Sequence, residues 1–217
     1  MKQTGIIFDW DNTLVDTWVL IHKALEGTFL EMGREPWTLQ ETKEKIGHSL
    51  REKFPELFGE DEWERAGKIY LKHYLKFNLK ELRPMENAEK TLIALRNAGV
   101  PMAVVSNKTG YVLREEIEHI KWKDYFVSMI GAKDTKRDKP DAEPALLAFK
   151  GCDLGEIWFV GDSVIDVKCA ENAGYKSVHI GDGKLIPDYV PVVKNHTELL
   201  DFFQKQGVIT VPCGEVS

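Results

Sequence analysis

Short apolar runs and longer amphipathic segments follow one another along most of this 217-residue chain. Beyond residue 84 the periodicity changes several times between helical and extended. This alternation predicts a parallel sheet with helices on both faces, joined by right-handed crossovers. The predicted strands are 5–8, 101–105, 126–130, 157–160 and 177–180, and the predicted helices between them are 86–98, 111–120, 144–149 and 165–173.

The stretch from residue 17 to residue 83 differs, because its periodicity is helical throughout. Apolar residues recur at steps of three and four and form one face of a first helix. These residues are Trp18, Ile21, Leu25, Phe29 and Met32. Gly33 and Pro36 end that helix. Three further helices are predicted at 38–46, 49–58 and 60–77, so an inserted cap of four helices is expected.

Together these patterns predict an α/β fold in which a doubly wound, Rossmann-like parallel sheet carries an inserted all-helical cap domain. The core is expected at residues 1–16 and 84–207, the cap at 17–83, and a loose C-terminal tail at 208–217. A chain of 217 residues is long enough to bury a sizeable core of this kind.

The composition of the chain argues against some classes of binding partner. The formal net charge of −6 and the isoelectric point near 5.6 argue against nucleic acid, because a phosphate backbone calls for a basic surface. The sequence has no run of 18 apolar residues and no signal-peptide pattern before its first strand. We therefore expect a cytoplasmic protein, a monomer or a homodimer, with no membrane association.

The cysteines and histidines do not indicate a site. Cys152, Cys169 and Cys213 are odd in number and form no Cys-x-x-Cys arrangement, so neither a disulfide framework nor a zinc site is expected. Buried free thiols are predicted instead. The six histidines include no His-x-x-x-His pair.

Two of the apolar runs stop abruptly at acidic residues. The first is followed by Asp9 and Asp11, and a later one by Asp162 and Asp166. Buried parallel strands open onto a site at their carboxyl ends, so these carboxylates should meet. Two like charges about 4 Å apart repel by roughly 4 kcal/mol at an effective dielectric near 20. Lys139 and a divalent cation that prefers oxygen ligands would offset this repulsion, and Mg²⁺ is the leading candidate.

Four short motifs occur in a fixed order along the chain. They are Asp9-x-Asp11-x-Thr13, a strand that ends at Ser106, the pair Lys139-Pro140, and Gly161-Asp162-x-x-x-Asp166. In this order the motifs resemble those of the haloacid dehalogenase superfamily, and the chain is most similar to its phosphoglycolate-phosphatase-like branch. One Asp-x-Asp-x-Thr alone would be a weak signal, whereas four motifs in order are a strong one.

The resemblance implies a role for each of these residues. Asp9 would be the nucleophile that forms an aspartyl-phosphate, and Asp11 the general acid and base. Lys139 would balance the charge on Asp9 and on the phosphoryl group. Asp162 would ligate Mg²⁺ directly, and Asp166 would orient Lys139 or a metal-bound water. The implied metal-binding set is Asp9, Asp11 through its main-chain carbonyl, Asp162 and Asp166.

Neighbouring residues are expected to contact the phosphate. The hydroxyl of Ser106 and the amide after it would bind phosphate oxygens, although a serine after a strand is also a common helix cap. Thr13 and Asn107 are further candidates. Asn12 stands where most relatives have glycine, and a left-handed or otherwise unusual backbone there would explain both residues. Trp10 is expected to be a packing residue or to border the substrate.

Specificity is expected from a loop between cap helices, residues 46–51. In relatives with such an insert, closure of the cap excludes water and delivers specificity residues. His48, Ser49 and Arg51 could contact a substrate carboxylate or hydroxyl. Ser49 is equally a helix cap, and Arg51 is equally an exposed helix charge.

The resemblance implies Mg²⁺-dependent hydrolysis of a small phosphomonoester, such as phosphoglycolate or a sugar phosphate, through an Asp9 phosphoenzyme. A small phosphorylated metabolite is therefore the expected partner. One alternative is a β-phosphoglucomutase-like sugar phosphate mutase, which uses the same acid and base aspartate but returns the phosphoryl group to the bound sugar. His22 lies near the place where mutase relatives carry a cap histidine. Another is a binding or regulatory protein that has kept the fold without turnover. The intact acidic set argues against that second alternative.

Overall fold

The computed structural model describes residues 2–46 and 49–209. The described residues form eight strands: β1 (Gln3–Phe8), β2 (Val15–Asp16), β3 (Arg83–Pro84), β4 (Met102–Thr109), β5 (Ser128–Ala132), β6 (Leu154–Gly161), β7 (Lys176–Ile180) and β8 (Val192–Val193). Six of them make a parallel sheet in the order β5-β4-β1-β6-β7-β8. The predicted α/β fold with a parallel sheet is confirmed.

The described residues also form ten α-helices: α1 (Trp18–Glu31), α2 (Leu39–Lys45), α3 (Leu50–Phe58), α4 (Trp63–Leu75), α5 (Asn78–Glu81), α6 (Ala88–Asn97), α7 (Gly110–His119), α8 (Glu143–Ala148), α9 (Val164–Ala173) and α10 (His196–Lys205). A single 3₁₀ turn, Lys123–Tyr125, precedes β5. None of the described helices is long and apolar enough to cross a bilayer.

The central strand β1 is buried on both faces of the sheet. Ile6 and Phe8 lie in an apolar cluster with residues of α6, α7 and α10, whereas Ile7 lies in a second cluster with residues of α8 and α9. Successive side chains of a strand point to opposite faces, so an uninterrupted apolar run is what a doubly covered strand requires. This burial fixes the register of β1 and therefore the position of the residues that follow it.

The cap is inserted between the two short strands of a second sheet. β2 and β3 pair antiparallel, with Val15 opposite Pro84, and helices α1 to α5 lie between them in the sequence. Aromatic side chains form the centre of the cap, with Phe54 packed 5.1 Å from Phe58 and 5.7 Å from Tyr70 between ring centroids. The cap cluster is continuous with the apolar cluster of the core, so the cap is packed onto the sheet domain.

The C-terminal region contains elements that the sequence reading did not predict. Strand β8 extends the sheet, and α10 begins after Asn195, whose side-chain oxygen accepts hydrogen bonds from two backbone amides of the helix. Val208 and Ile209, expected in a loose tail, instead contact the core cluster, and both backbone amides donate to the Phe203 carbonyl. Residues 210–217 lie outside the described part of the chain.

The free thiols only partly match the prediction. Cys169 is buried, as expected, whereas Cys152 is exposed in the turn before β6. The expectation of a buried thiol was therefore wrong for Cys152. Cys213 lies outside the described residues.

Candidate active site

Three neighbouring strands bring polar residues to one edge of the sheet. The register pairs Phe8 of β1 with Val104 of β4 and with Val160 of β6. The residues that follow, Asp9 after β1 and Asp162 after β6, therefore lie at the same level, and the backbone amide of Asp9 donates to the Val160 carbonyl at 2.9 Å. The carboxyl edge of the sheet is where open α/β sheets bind ligands.

The ammonium group of Lys139 joins two of the predicted aspartates. It donates to Asp9 Oδ1 at 2.7 Å and to Asp166 Oδ1 at 2.6 Å, and all three side chains are nearly inaccessible to solvent. The other oxygen of Asp166 accepts from the Ser163 backbone amide at 3.1 Å and from the Ser163 hydroxyl at 2.7 Å. Ser163 therefore fixes one oxygen of Asp166 at the start of α9, and the other oxygen binds Lys139.

Asp162 completes a group that we call the Lys139 centre: Lys139, Asp9, Asp162 and Asp166. One oxygen from each carboxylate lies within 4.8 Å of the others. Burial raises the pKa of Asp9 from 3.8 to about 7; Lys139 opposes this rise and Asp166 adds to it. Burial, followed by the charges of Asp9 and Asp166, holds the pKa of Asp162 well above its usual range. Three carboxylates against one ammonium leave an excess of negative charge.

Gly161 makes this close assembly possible. A Cβ atom at this position would overlap the side chain of Asp166. The glycine therefore lets the carboxylate at the start of α9 lie directly against the end of β6. Any larger residue would push Asp166 away from Lys139.

Asp11 is bound to a different lysine. Lys108 Nζ donates to Asp11 Oδ1 at 2.7 Å, to Glu116 Oε2 at 2.6 Å and to the Tyr74 hydroxyl at 2.7 Å. Burial alone would lower the pKa of Lys108, but Asp11 and Glu116 outweigh it and raise the pKa to about 12. Among the described residues, the cluster of possible metal ligands does not include the Asp11 side chain.

Glu116 has no exposed surface and receives four hydrogen bonds. Besides Lys108, its donors are Trp10 Nε1 at 2.8 Å, the Tyr74 hydroxyl at 2.9 Å and Asn78 Nδ2 at 3.3 Å. We call these residues the Lys108 centre: Lys108, Asp11, Glu116, Tyr74, Trp10 and Asn78. Trp10 is fully buried and packs edge-on against Trp122, so it is a packing residue and not a border of the substrate site.

The loop that carries Asp9 and Asp11 is held by hydrogen bonds at Asn12 and at Thr13. Asn12 has φ of 59°, the left-handed conformation expected from its position, and its side-chain oxygen accepts from the Thr17 amide at 3.2 Å. Thr13 is fully buried and is not among the described residues that line the cavity below. Its carbonyl accepts a hydrogen bond from His196 Nε2 at 2.8 Å. Thr13 therefore lies under the site, with its side chain shielded from the cavity.

Ser106 and Asn107 lie at the cavity with separate contacts. The hydroxyl oxygen of Ser106 accepts from the Lys108 amide at 3.1 Å, which leaves its own proton free to donate to a phosphate. Asn107 Nδ2 donates to the Lys139 carbonyl at 3.0 Å, so this amide supports the segment that positions Lys139. Asn107 Oδ1 is buried, with no hydrogen-bond partner among the described residues.

A cavity of about 530 Å³ connects these residues with the cap. Its core side includes Asp9, Asp11, Ser106, Lys139 and Asp162. Its cap side is lined by apolar and basic residues, among them Trp18, Ile21, Leu25, Lys43, Lys53, Tyr70 and Leu71. The site therefore has a charged end at the sheet and a mainly apolar wall opposite it.

The residues expected to give specificity have other surroundings. His48 lies outside the described residues. Ser49 is buried directly before α3 and is not among the described residues that line the cavity. Arg51 forms a bidentate ion pair with the buried carboxylate of Asp138 and so joins α3 to the residue before Lys139. Arg51 is therefore not an exposed charge, and it is not among the described residues that line the cavity.

His22 also has an internal partner. Its Nδ1 lies 3.2 Å from the hydroxyl oxygen of Thr42, a contact between α1 and α2. Among the described residues that line the cavity, His22 is absent. Nothing in its surroundings favours the mutase alternative.

Sequence reasoning overlooked Glu116 and Tyr74. A signal for Glu116 was available, because it falls four residues after Val112 on the face of α7 that also buries Leu113 and Ile117. An acidic residue on an apolar face indicates a buried partner. Tyr74 carried no such signal, since an aromatic residue on the buried face of α4 is ordinary.

Comparison with known proteins agrees with this geometry. The family model described as haloacid dehalogenase-like hydrolase matches residues 6–180. The chain is 28% identical to a phosphoglycolate phosphatase of Aquifex aeolicus, over 85% of this chain and 90% of that one. It is 25% identical to an N-acetylmuramic acid 6-phosphate phosphatase of Pseudomonas aeruginosa, over 94% and 96%. A crystal structure of a HAD-superfamily hydrolase from Ehrlichia chaffeensis superposes with a TM-score of 0.65 at 29% identity, covering 94% of this chain and 98% of that one.

Proposed function

Because the chain belongs to the haloacid dehalogenase-like hydrolases and is a phosphoric monoester hydrolase, we propose a specific reaction for it. This reaction is the Mg²⁺-dependent hydrolysis of a small phosphomonoester through an aspartyl-phosphate on Asp9. The observation that carries this proposal is the position of Asp9. Its carboxylate lies at the end of the central strand, lines the cavity, and is held by Lys139 at 2.7 Å. Asp11 lies two residues further, at the same cavity.

The residues of the Lys139 centre fit a divalent cation with a preference for oxygen ligands. Carboxylate oxygens are the donors such ions prefer, and three of them are clustered with an excess of negative charge. Asp166 is occupied by Lys139 and Ser163, so Asp9, Asp162 and the main-chain carbonyl of Asp11 are the proposed ligands. When bound, the cation would offset the charge of these carboxylates, lower their pKa values and polarise the phosphoryl group.

In the first half of the proposed reaction, a carboxylate oxygen of Asp9 attacks phosphorus and an acyl-phosphate bond forms. The bond between phosphorus and the ester oxygen breaks, and Asp11 gives a proton to the leaving alkoxide. Lys139 holds Asp9 in place and offsets the charge of the phosphoryl group. The hydroxyl group of Ser106 donates a hydrogen bond to a phosphate oxygen.

In the second half, water attacks the phosphorus of the phosphoaspartate. Asp11, now ionised, takes a proton from this water, the acyl-phosphate bond breaks and the Asp9 carboxylate is restored. Inorganic phosphate and the alcohol are the two products. The same two aspartates therefore act in both halves. Asp9 is first the nucleophile and then the leaving group, and Asp11 is first the acid and then the base.

The cap is proposed to close the site and to select the substrate. The described cap residues, 17–46 and 49–83, form the apolar wall described above, and covering the site would exclude water from the phosphoryl group. Phosphoglycolate is the leading candidate substrate, supported by the relative that carries this name, and a sugar phosphate is supported by the volume of the cavity. A cytoplasmic location and the choice between monomer and homodimer stay predictions.

Release of inorganic phosphate tests the proposal. We expect the wild-type protein to hydrolyse para-nitrophenyl phosphate and phosphoglycolate with Mg²⁺ and to stop when EDTA is added. Asp9→Asn should lose activity by at least about 10⁴-fold, because the nucleophile is removed. Asp61→Asn, a change of an exposed aspartate in the cap, is the matched control and should keep full activity.

Two results would contradict the proposal. An Asp9→Asn variant that keeps its activity would exclude Asp9 as the nucleophile. Tight Mg²⁺ and ligand binding with no phosphate release from a broad panel of phosphomonoesters would instead support a binding or regulatory protein.

A further inference from the structure

We propose that Lys108 and Glu116 position Asp11 for proton transfer, and that Tyr74 makes this positioning depend on the seating of the cap. The inference rests on the proposed function, since it concerns the residue assigned there as acid and base. It starts from the hydrogen bonds of the Lys108 centre, which link the loop after β1, strand β4 and helix α7 with helices α4 and α5 of the cap.

The protons of Lys108 are all in use. A lysine ammonium group has three donors and no acceptor, and here the three acceptors are Asp11, Glu116 and the Tyr74 hydroxyl, at 2.6 to 2.7 Å. The side chain is only 7% exposed. Lys108 lines the cavity but has no donor left for a phosphate oxygen, and it is joined to Asp11 by a hydrogen bond.

Glu116 fixes the ammonium group in turn. Its Oε2 accepts from Lys108 and Trp10, and its Oε1 accepts from Tyr74 and Asn78. Both oxygens are saturated and the carboxylate has no exposed surface, so it is confined to one orientation. A confined carboxylate confines Lys108, and Lys108 confines Asp11 Oδ1.

The cap contributes the last contact. Tyr74 donates to Glu116 and accepts from Lys108, and its ring lies 4.9 Å from the ammonium group. Because Tyr74 belongs to α4 and Asn78 to α5, moving the cap away from the sheet would remove one partner from Lys108 and two from Glu116. Asp11 is thus held in its working position when the cap is seated over the site.

Proton donation to the leaving group can be measured by comparing two substrates, and a general loss of structure should lower kcat/KM for both substrates alike. Phenyl phosphate and para-nitrophenyl phosphate have nearly the same shape, but phenol is a much weaker acid than para-nitrophenol. Cleavage of the phenyl ester therefore depends far more on a general acid. The value of kcat/KM reports the steps up to release of the phenol, and the ratio of the two values measures how well Asp11 donates its proton.

The experiment compares this ratio in Mg²⁺ for wild type and three variants. In Lys108→Met the preference for the nitrophenyl ester should rise about tenfold, because a small misplacement of a catalytic group already costs this much. Lys108→Met/Glu116→Gln removes the two opposite charges together and should show the same rise. This double variant provides the test if Lys108→Met folds poorly. Tyr74→Phe removes one hydroxyl and should raise the preference about threefold.

Lys23→Met is the matched control, because Lys23 forms an ion pair with Glu81 inside the cap, away from Asp11. Its ratio should equal that of wild type. The inference is overturned if the Lys108 and Tyr74 variants lose the same factor of kcat/KM for both esters, or lose nothing. A wild-type protein that cleaves neither ester would overturn the proposed function itself, which is a different outcome.

Discussion

Lys139 and Lys108 are both buried among carboxylates at the same edge of the sheet, yet their surroundings differ in charge and in origin. Lys139 faces Asp9, Asp162 and Asp166, all from the sheet domain. Lys108 faces only Asp11 and Glu116, and its third partner is a tyrosine hydroxyl from the cap.

This difference indicates where a cation belongs. At the Lys139 centre burial, and after it the neighbouring carboxylates, raises the pKa values of Asp9 and Asp162, so one ammonium group alone does not offset the three carboxylates. At the Lys108 centre the neutral donors Trp10, Tyr74 and Asn78 satisfy the second carboxylate. We therefore expect metal binding and covalent chemistry at the first centre, and control of geometry at the second.

Removing the ammonium group of the first centre should have the largest effect. Lys139→Met leaves three buried carboxylates without a cation, and we expect a loss of about 3–5 kcal/mol of stability in EDTA, measured by urea unfolding. Activity should fall by about 10³-fold or more, because charge on the phosphoryl group is no longer offset. Lys139→Arg should recover more of the stability than of the activity. Unchanged stability in Lys139→Met would mean that the carboxylates are not paired as described.

The two centres should also respond differently to Mg²⁺. At 100 times its dissociation constant the ion should raise the stability of wild type by about 2.7 kcal/mol, followed as a shift in melting temperature. Asp162→Asn should lose most of this shift, and in EDTA it should be at least as stable as wild type because one like charge is gone. Glu116→Gln is the control at the second centre and should keep the full Mg²⁺ shift. An equal loss in both variants would abolish the distinction between the centres.

A second link between cap and core lies next to the first centre. Arg51→Met leaves the buried Asp138 carboxylate without its ion-pair partner, and we expect about 2 kcal/mol of destabilisation and a raised KM. Arg65→Met, at an exposed pair with Glu62, should change stability by less than about 0.5 kcal/mol. Equal effects in the two variants would show that the Arg51 pair is no stronger than a surface pair.

The smallest expected effect concerns the support under the Asp9–Asp11 loop. Burial lowers the pKa of His196, which the hydrogen bond to the Thr13 carbonyl opposes only in part. Below pH 6.5, the ordinary pKa of histidine, His196 binds a proton in the unfolded chain but not in the folded one. The contribution of His196 to the free energy of unfolding is therefore present above pH 6.5 and is lost as the pH falls. One such group gives a slope of at most about 1.4 kcal/mol per pH unit. His196→Asn should show a shallower fall between pH 7 and pH 5 in urea unfolding; an unchanged slope would exclude this role.

The sequence was sufficient to predict five of the six strands of the sheet and the carboxylates at its edge. Apolar runs such as residues 5–8 mark buried strands by local pattern alone, and an aspartate directly after such a run must lie at the strand end. An unusual backbone at Asn12, left-handed in the structure, was also predictable, because relatives have glycine at this position.

Contacts between distant parts of the chain were not predictable. The pairing of Arg51 with Asp138 and of Tyr74 with Glu116 depends on how the cap packs onto the sheet, and no local pattern encodes that packing. The same reason explains β8, whose two residues are a strand only because β7 lies beside them. Residues that link the cap to the proposed catalytic aspartates are therefore the part of the site that required a structure.

Trapping the covalent intermediate tests the role of the Lys139 centre most directly. In Asp11→Asn, attack of Asp9 on para-nitrophenyl phosphate should still occur, because this leaving group needs little help from an acid, whereas hydrolysis of the intermediate lacks its base. After mixing with Mg²⁺ and acid quenching, mass spectrometry should find one phosphoryl group, located on Asp9, and none in Asp9→Asn/Asp11→Asn. A phosphoryl group on another residue, or phosphate release with no covalent intermediate in Asp11→Asn, would contradict the assignment of Asp9 as nucleophile.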